Sequence, residues 1–338
     1  MGGTVSAQAR PRLGFLGTGW IGRHRLAAMA ATGMAEIVAL AEPDDDGAAE
    51  ALRLAPGAQR VDGLGALLAC GLDGVVIATP SAGHAAQSIA ALEAGCAVFC
   101  QKPLGRSADE AGAVVATART ADRLLGVDLS YRHTAAMQAI AALLRQGALG
   151  HVFAVDLTFH NAYGPDKPWF RDPAQSGGGC VIDLGVHLVD LALWSLGWPA
   201  VERVESRLLA RGRPLADPAR EVEDYAVATL YLAGGTVVRL ACSWDLQAGR
   251  EAMIAAEFHG TGGGARLHNV DGSFYDLRAE RHRHTQAEPL AGPPDDWGGR
   301  AAVDWLARLA GGQRFDPGAG HLVTVARVLD GIYHHPAA

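Results

Sequence analysis

Residues 17–22 have the sequence GTGWIG. The apolar run Leu13–Gly17 at its start predicts a short strand, and the residues from Thr18 to about Ala31 predict a helix. A G-x-G-x-x-G pattern alone is weak evidence in a chain with 43 glycines. Because this one joins a strand to a helix, it indicates a dinucleotide-binding turn.

Each glycine of this stretch has a physical task in such a turn. Gly17 permits the tight turn, Gly19 lets the backbone approach a pyrophosphate, and Gly22 allows helix and strand to pack closely. The helix N-terminus offers free N–H groups and the positive end of its dipole to the phosphates. The residues assigned to the cofactor here are Gly17, Thr18, Gly19, Trp20 and Ile21.

An acidic residue follows the second predicted strand, Ile37–Ala41. Glu42 lies 20 positions after Gly22, where a carboxylate accepts hydrogen bonds from the adenosine ribose hydroxyls. The segment Glu42–Asp46 contains no arginine to hold a 2′-phosphate, and its carboxylates would repel one. We therefore expect NAD rather than NADP; the alternative is a glycine-rich turn beside an acidic surface loop.

Strands and helices alternate over the first 130 residues. Gly74–Pro80 (GVVIATP) is a continuous apolar run, typical of a strand buried on both faces. Alternation with helices of about 10–15 residues predicts a parallel, doubly wound sheet whose ligands bind at the carboxyl ends of the strands. The other predicted strands are Arg60-Val61, Ala97–Cys100 and Leu124–Leu129, and the other predicted helices are Leu64–Cys70, Ala85–Ala94 and Asp109–Ala121.

The pattern changes beyond residue 150. Alternating apolar residues and hairpin-like turns such as Ala233-Gly234-Gly235 predict a mainly antiparallel, open sheet with helices beside it. We expect an NAD-binding Rossmann domain over residues 1–130 and an α+β substrate domain over residues 131–338. The strands predicted in the second domain are Val152–Thr158, Val201–Ala210, Asp224–Leu232, Val237–Trp244, Met253–His259, Ala265–His268 and Phe274–Arg281, followed by helices Arg300–Ala310 and Gly320–Tyr333.

Composition excludes several classes of protein. A net charge of −7 gives no basic field for a phosphate backbone, so nucleic acid is not an expected partner. No apolar run approaches the roughly 20 residues of a membrane span. The five cysteines include no C-x-x-C pair, which indicates reduced thiols and no metal site in a cytoplasmic protein. Residues 1–12 lack a secretory signal core, and Met1-Gly2…Ser6 matches only the loose acylation pattern, which a disordered leader explains equally well.

One helix of the second half carries polar residues in an apolar background. Cys180–Leu196 follows Gly177–Gly179 and is apolar nearly all round, as buried helices are. Asp183, His187 and Asp190 share one face at i, i+4 and i+7, so the first carboxylate and the imidazole are expected to touch. Such a pair can act as a general base near neutral pH, and a satisfied polar patch is the alternative. Asp190 is expected to be structural.

Lysine is rare in this chain. Of its 29 basic residues only Lys102 and Lys167 are lysines. A lysine retained where arginine serves elsewhere suggests a need for a compact ammonium that can lose its proton, and chance retention is the alternative. For Lys167, in a loop, the two explanations have equal weight.

Three segments together resemble one enzyme family. They are GFLGTGWIGRHR (14–25), DGVVIATPSAGHAAQSIAALEAGCAVFCQKPL (73–104) and GGGCVIDLGVHLVDLALWSLG (177–197). The sequence resembles the glucose–fructose oxidoreductase, inositol dehydrogenase and MocA-like (Gfo/Idh/MocA) family from about Arg12 through Trp244. The resemblance implies a Rossmann domain followed by an α/β domain whose open sheet supports the substrate site and often oligomer contacts.

The resemblance also implies a catalytic set. Gln101-Lys102-Pro103 corresponds to the family's E-K-P motif, and Asp183 with His187 matches its D-x-x-x-H. The implied reaction is NAD-dependent oxidation of a sugar or cyclitol secondary alcohol, or its reverse. His187 would take the hydroxyl proton, while Lys102 and Asp183 would hold the reacting oxygen. Gln101 departs from the family's Glu, which leaves the proton relay and the cofactor contact open.

Further site residues are weaker candidates. Thr79, Pro80, His84, Gln101 and Lys102 are also assigned to the cofactor. The segment with Pro80 and His84 resembles the family's nicotinamide contact, and a simple helix entry is the alternative. A loop before the glycine run is a candidate lid. Arg281–His284 resembles a metal tract, but its arginines would repel cations, so a solvated strand is expected. His334-His335 is expected to be a frayed tail. The residues assigned to the substrate are Tyr131, Arg132, His160, Tyr163, Trp169, Trp244 and Asp245.

The predicted function is an NAD-dependent oxidoreductase acting on a sugar, aminosugar or cyclitol. An acidic pocket with Asp183 and Asp245 would suit a cationic aminosugar. The alternatives are an NAD-assisted lyase or glycosidase with transient oxidation, which would accumulate no NADH, and a dinucleotide-sensing regulator, which would turn nothing over. The expected assembly is a cytoplasmic homo-oligomer, a dimer or tetramer. The sequence leaves the exact substrate and the direction of reaction open.

Overall fold

The computed structural model describes residues 10–334; the acylation pattern at Met1–Ser6 and the end of the histidine tail at His335 lie outside them. Six parallel strands form the first sheet in the order β3-β2-β1-β4-β5-β6, which confirms the doubly wound arrangement. The order reverses between β1 and β4, where such sheets bind ligands. The strands are β1 (Arg12–Leu16), β2 (Glu36–Ala41), β3 (Gln59–Arg60), β4 (Gly74–Ile77), β5 (Ala97–Cys100) and β6 (Leu125–Val127).

Successive residues of β4 face opposite layers of helices. Val75 and Ile77 pack in one apolar cluster and Val76 in another, and all three are at most 1% exposed. This two-sided burial explains the continuous apolar run of this segment. The helices of the first half are α1 (Trp20–Ala31), α2 (Asp45–Leu54), α3 (Gly63–Leu68), α4 (Ser81–Glu93) and α5 (Ala108–Ala121).

Nine strands form the second sheet, in the order β15-β14-β13-β12-β7-β11-β10-β8-β9. All neighbours are antiparallel except β7 and β11, so the predicted mainly antiparallel sheet is confirmed with one parallel pair. The strands are β7 (Val152–Asn161), β8 (Val201–Ala210), β9 (Arg213–Pro214), β10 (Tyr225–Leu232), β11 (Val237–Ser243), β12 (Ala252–Gly260), β13 (Gly263–Asn269), β14 (Leu277–Arg283) and β15 (Gln286–Ala291).

One face of this sheet packs on α6 (Ala135–Arg145) and α8 (Val186–Ser195), whereas the one-turn α7 (Pro173–Ser176) contacts α4 of the first half. The stretch Pro173–Ser195 is long and apolar enough to cross a membrane by composition alone, contrary to the expectation that no apolar run approaches such a span. However, 89% of its most apolar window is buried inside the protein, as in the core helix of a globular domain.

The last two helices pack back against the first sheet. Trp305 of α9 (Arg300–Ala310) is 2% exposed and lies against Phe99 of β5. A Cβ on Gly74 or Gly126 would come within 2.8 or 2.6 Å of its indole ring, so these strand glycines leave room for it. Helix α10 (Gly320–His334) packs on α5 and β8. The division at residue 130 stays a prediction, but α9 and its core contacts belong spatially to the first sheet.

The predicted helix Cys180–Leu196 is not one regular α-helix. Its first turn, Val181–Gly185, is a π-helix with wider turns, and the α-helical part, α8, begins only at Val186. Hydrophobic periodicity cannot detect this change because both forms bury the same apolar residues. It alters which side chains meet, since the i, i+4 neighbour rule holds only for α-helical turns.

Candidate active site

A cleft of about 890 Å³ opens at the carboxyl edge of the first sheet and faces the second. Its walls include the glycine turn, the ends of β2, β4 and β5, and side chains of the π-helical turn and α8. Three later segments close the opposite side, residues 166–170, 274–275 and 297–298. The cleft therefore brings together residues from nearly the whole chain.

The glycine turn fits a dinucleotide phosphate. Gly17 has φ +85°, and a Cβ on Gly22 would lie 2.3 Å from the Gly17 carbonyl oxygen, so both positions require glycine. Helix α1 begins after Gly19 with no side chain capping its first N–H groups and no acidic residue in its first turn. A Cβ on Gly19 would meet nothing within 4 Å, so the cleft side of the helix end is open. These features form a cradle for an anionic group.

Glu42 borders the cleft and is held by the backbone. One carboxylate oxygen accepts from Thr18 N at 2.6 Å and the other from Asp44 N at 3.1 Å. A carboxylate oxygen has further lone pairs, so acceptor capacity for ribose hydroxyls is left. Thr18 itself is fully buried beneath the turn.

The segment Glu42–Asp46 contains no arginine, but two arginines from other elements lie beside it in three dimensions. Arg60 of β3 donates to the Glu42 carbonyl at 3.0 Å and to Asp45 at 2.7 Å. Arg23 of α1 borders the cleft, donates to the Thr18 carbonyl at 3.0 Å and pairs with Glu50 at 2.8 Å. Parallel strands bring these side chains to one edge, which a local reading of the segment cannot detect. Both guanidinium groups are already engaged.

His84 joins two pieces of the cofactor side. Its ring nitrogens lie 2.6 Å from the Pro103 carbonyl oxygen and 2.7 Å from that of Thr79. Burial lowers the pKa of His84, and the two carbonyl contacts act in the opposite direction. The ring thereby ties the end of β4 to the Lys102-Pro103 peptide, which is cis. Thr79, Pro80 and His84 all border the cleft.

Lys102 and Asp183 meet across the cleft. The Lys102 Nζ donates to Asp183 Oδ1 at 2.5 Å and to the Asp183 carbonyl oxygen at 2.7 Å. Asp183 Oδ2 accepts from the Trp244 indole N–H at 3.0 Å. Both side chains of the pair are less than one-fifth exposed. The predicted lysine and aspartate, 81 residues apart in the sequence, thus form an ion pair. Hydrogen bonds with the Asp183 carbonyl oxygen and the Trp244 indole fix its orientation from two directions.

The expected contact between Asp183 and His187 is not formed among the described residues. The π-helical turn directs the carboxylate to Lys102 and Trp244 instead. His187 borders the cleft, and its ring lies 4.9 Å from that of Tyr131 in an edge-on arrangement. Asp190, expected to be structural, is buried and paired with Arg132, which donates from Nε at 2.7 Å.

The environment of His187 favours the neutral imidazole. Burial lowers its pKa well below the usual value, and the charges of Lys102 and Arg25 act in the same direction. A neutral ring can accept a proton, which an imidazolium cannot. Burial is the largest cause of this shift.

A buried carboxylate that the sequence did not reveal holds the turn carrying Asp183. Glu223 is fully buried and accepts from Gly179 N at 3.1 Å, Val181 N at 2.8 Å and the Tyr333 hydroxyl at 2.9 Å. A Cβ on Gly178 or Gly179 would lie within 2.0 Å of the Tyr333 oxygen or the Glu223 carbonyl oxygen. The glycine run therefore permits this close approach, which we call the Glu223 clamp. Burial raises the pKa of Glu223.

Aromatic side chains border the substrate side of the cleft. Of the predicted substrate residues, Tyr131 and Trp169 lie there. Trp169 stacks on Phe170 with ring centroids 3.8 Å apart, and Tyr131 lies 5.0 Å from Trp297. No motif marked Phe170, Phe274, Tyr275 and Trp297 as cleft residues, because only tertiary packing brings their segments together.

The other predicted substrate residues lie outside the cleft wall. His160 bonds Ser243 at 2.7 Å and stacks on Tyr225, and Tyr163 is 58% exposed. Asp245 pairs with Arg171 at 2.9 Å. Trp244 reaches the site indirectly, through Asp183, and Arg132 is held by Asp190.

Lys167 borders the cleft mouth, where its side chain is 66% exposed beside Asp166 at 3.5 Å.

Within residues 10–334 no three His, Cys, Asp or Glu side chains are grouped as metal ligands. The tract Arg281–His284 follows β14 into the turn before β15. All five cysteines are free, with Cys180 and Cys242 Sγ atoms 3.8 Å apart.

Comparison with known proteins agrees with this arrangement. Residues 12–129 match the family model described as oxidoreductase family, NAD-binding Rossmann fold, and residues 137–266 match the GFO/IDH/MocA C-terminal domain. D-apiose dehydrogenase of Paraburkholderia graminis is 30% identical over 90% of this chain and 78% of its own length. D-glucoside 3-dehydrogenase of Escherichia coli K12 is 30% identical, with 60% of each chain aligned, so the match spans less than two thirds of that enzyme.

The fold also matches solved structures. GenD2 from gentamicin A biosynthesis, in complex with NAD, has a TM-score of 0.81 at 24% identity over 99% of this chain and 96% of its own. The matched segments contain the glycine turn, Lys102 and the Asp183–His187 pair of positions. The chain belongs to the GFO/IDH/MocA family of NAD-binding oxidoreductases.

Proposed function

We propose that this protein is an NAD-dependent dehydrogenase that transfers a hydride between the nicotinamide and a secondary alcohol of a sugar, aminosugar or cyclitol. Lys102, Asp183 and His187 form the catalytic set. The observation that carries the proposal is the Lys102–Asp183 ion pair of 2.5 Å, which joins the cofactor side of the cleft to the substrate side. The dehydrogenase names of the relatives support the same class of reaction.

The protonation state of each site residue determines its role in the reaction. His187, neutral because burial lowers its pKa, accepts the proton of the substrate hydroxyl as the general base. Lys102 donates a hydrogen bond to the reacting oxygen. The ion pair with Asp183 holds the Lys102 ammonium in position for this contact. NAD, held by the glycine turn and Glu42, supplies the hydride acceptor. The Rossmann side thus supplies the lysine, and the second domain supplies both the carboxylate that orients it and the base.

The charges of the site favour an uncharged substrate over a cationic aminosugar. Asp183 is paired with Lys102, and Asp245 is paired with Arg171 away from the cleft. Neither of the two carboxylates that suggested an amine is left free to bind one. The aromatic rings of Trp169 and Tyr275 suit the apolar face of a sugar or cyclitol ring.

We further propose that the enzyme acts in the cytoplasm as a homo-oligomer, a dimer or tetramer. The second sheet supports this assembly, because Phe153, Val227 and Met253 of its strands are between 38% and 49% exposed. Sedimentation of the purified protein tests the assembly directly, and a monomer at all concentrations would contradict it.

The experiment for the reaction is absorbance at 340 nm with NAD and a panel of free sugars, glycosides, inositols and aminosugars. NADH formation that is lost in Lys102→Ala would support the dehydrogenase and give the substrate class. Bond cleavage seen by mass spectrometry with no NADH would support transient oxidation in a lyase or glycosidase. NAD binding without turnover of any compound would favour a sensor.

A further inference from the structure

A buried polar cluster lies at the carboxyl ends of β5 and β6, directly beside Lys102. It consists of Arg25 of α1, Gln101 after β5, and Asp128 and Ser130 after β6, and we call it the floor cluster. Its members are between 2% and 8% exposed, and all four border the cleft. The cluster contains Gln101, the one position where the lysine motif departs from the family pattern.

Asp128 is the centre of this cluster. Its Oδ2 accepts from Arg25 Nε at 2.6 Å and from Gln101 Nε2, and its Oδ1 accepts from the Ser130 hydroxyl. Arg25 also donates to Ser130 Oγ at 3.1 Å. The Arg25–Asp128 ion pair is almost completely removed from solvent. A buried charge of this kind needs its partner, because a lone buried ion is very costly.

These bonds determine which end of the Gln101 amide faces Asp128. A carboxylate in an ion pair only accepts hydrogen bonds, so the amide NH₂ group must be the end that contacts it. The carbonyl oxygen of the Gln101 amide therefore faces away from Asp128. Within residues 10–334 no group donates a hydrogen bond to this oxygen, although Gln101 borders the cleft.

We propose that Asp128 is a positioning residue that holds the Gln101 amide with its carbonyl oxygen free to accept a hydrogen bond from the bound dinucleotide. The inference rests on the proposed function for the use of this cleft by NAD. The nicotinamide half of NAD carries ribose hydroxyls and a carboxamide NH₂, and all four cluster residues belong to the Rossmann elements that border the cofactor side. Position 101 thus keeps an acceptor oxygen without a charge, while the negative charge lies on Asp128, opposite Arg25.

The arrangement makes the residues at 101 and 128 depend on each other. A glutamate at 101 would place a second carboxylate against Asp128, and two like charges in a buried site cannot both ionise without cost. With asparagine at 128, the amide can donate to a glutamate at 101, and the hydrogen bond is restored with the roles exchanged. The effect of Gln101→Glu on NAD binding should therefore differ between the two backgrounds.

The test is a double-mutant cycle of Gln101→Glu and Asp128→Asn, read by the Kd for NAD from quenching of tryptophan fluorescence. We expect Gln101→Glu alone to raise the Kd about tenfold. In the Asp128→Asn background the same change should raise it less than twofold or lower it. Equal effects in both backgrounds would overturn the proposal.

A second variant covers the case in which Asp128→Asn fails to fold. Gln101→Met removes the acceptor but leaves the Arg25–Asp128 pair, so it should raise the Kd about fivefold, while loss of the amide's own hydrogen bond to Asp128 should lower the Tm only modestly. Gln138→Met, the same change at an exposed residue outside the cleft, is the matched control. NAD binding by Gln101→Met as tight as wild type would overturn the proposal. These Kd values need no substrate, so they remain informative even if the dehydrogenase assay fails.

Discussion

The two sides of the cleft are built in different ways. On the Rossmann side, Gly17, Glu42, Thr79 and Lys102 each follow a strand of one parallel sheet directly or by two residues. On the other side, the wall comes from residues 166–170, 274–275 and 297–298, which share no sheet edge. Parallel strands bring their carboxyl ends together by topology alone, whereas the second wall exists only once its loops have packed.

Sheet topology thus fixes the positions of the Rossmann-side residues, whereas loop packing fixes the positions of the residues on the second side. The first side meets the second at the Lys102–Asp183 pair, and the Glu223 clamp fixes the second side from behind. If this view is right, variants on the Rossmann side and at the pair should change binding or turnover without loss of fold. Variants of the clamp should change turnover and stability together.

The largest effect is expected for Lys102→Ala. Loss of the donor that holds the reacting oxygen should lower kcat about 10³-fold with little change in the Kd for NAD. Steady-state rates and NAD titration measure the two quantities. Lys167→Ala removes the only other lysine, a solvated side chain at the mouth, and should change kcat less than threefold. Equal losses in the two variants would remove the distinction between the pair and the loop.

The Glu223 clamp gives the next largest effect. Glu223→Gln replaces one carboxylate oxygen with an NH₂ group, so at least one donor that now meets a carboxylate oxygen would face another donor. The unfolding free energy should therefore fall by about 3 kcal/mol. Because the clamp holds the π-helical turn, kcat should fall as well while KM stays nearly constant. Tyr333→Phe removes only one of the three bonds and should cost about 1 kcal/mol. Urea unfolding checks both, and an unchanged kcat in folded Glu223→Gln would show that the clamp does not position Asp183.

Glu42→Gln should weaken NAD binding about tenfold, since it removes a charged acceptor. The variant should also reduce the preference for NAD over NADP, because Arg23 and Arg60 lie beside the segment. Kd values for both cofactors give the answer. Unchanged NAD affinity would mean that the carboxylate only caps the backbone N–H groups of Thr18 and Asp44.

The pH dependence follows from His187. Its native pKa lies well below 6.5, so the acid limb of kcat/KM should lie below pH 6.5 as well. Below that pH the unfolded chain binds a proton that native His187 does not, so stability falls as the pH falls. Thermal unfolding of His187→Gln at pH 7.5 and 5.5 should show a pH-dependent loss smaller by about 1 kcal/mol. A loss equal to that of wild type would mean that His187 is charged in the native state.

The smallest effect is expected at Asp245. Its pair with Arg171 is about half exposed on both sides and lies outside the cleft wall. Asp245→Asn should therefore leave KM and kcat within twofold and stability within about 1 kcal/mol of wild type. A large rise in KM for amine-bearing sugars alone would restore the aminosugar hypothesis.

The sequence predicted the fold and the Rossmann side well, because each depends on local patterns. Gly17, Glu42 and Lys102 were singled out from a turn, a spacing and a family motif at a rare residue type. Glu42 and Lys102 border the cleft, and the roles of all three stay predictions. Geometry that depends on distant contacts could not be predicted: the π-helical turn directs Asp183 away from His187, and Arg60 reaches the acidic segment from another strand. Nothing in the sequence marked Glu223, because a single glutamate before a strand is common. Its burial depends on tertiary contacts such as the hydrogen bond from the Tyr333 hydroxyl.

The position of Trp305 has a consequence for synthesis of the chain. The ribosome releases residues 12–127 first, yet the part of that sheet over Gly74 and Gly126 is covered only when the indole ring packs there. The nascent N-terminal unit therefore stays partly uncovered until Trp305 is synthesised, 178 residues after residue 127. During this interval it presents the kind of apolar surface that chaperones bind. A truncation before α9 would leave the molecule permanently in that state.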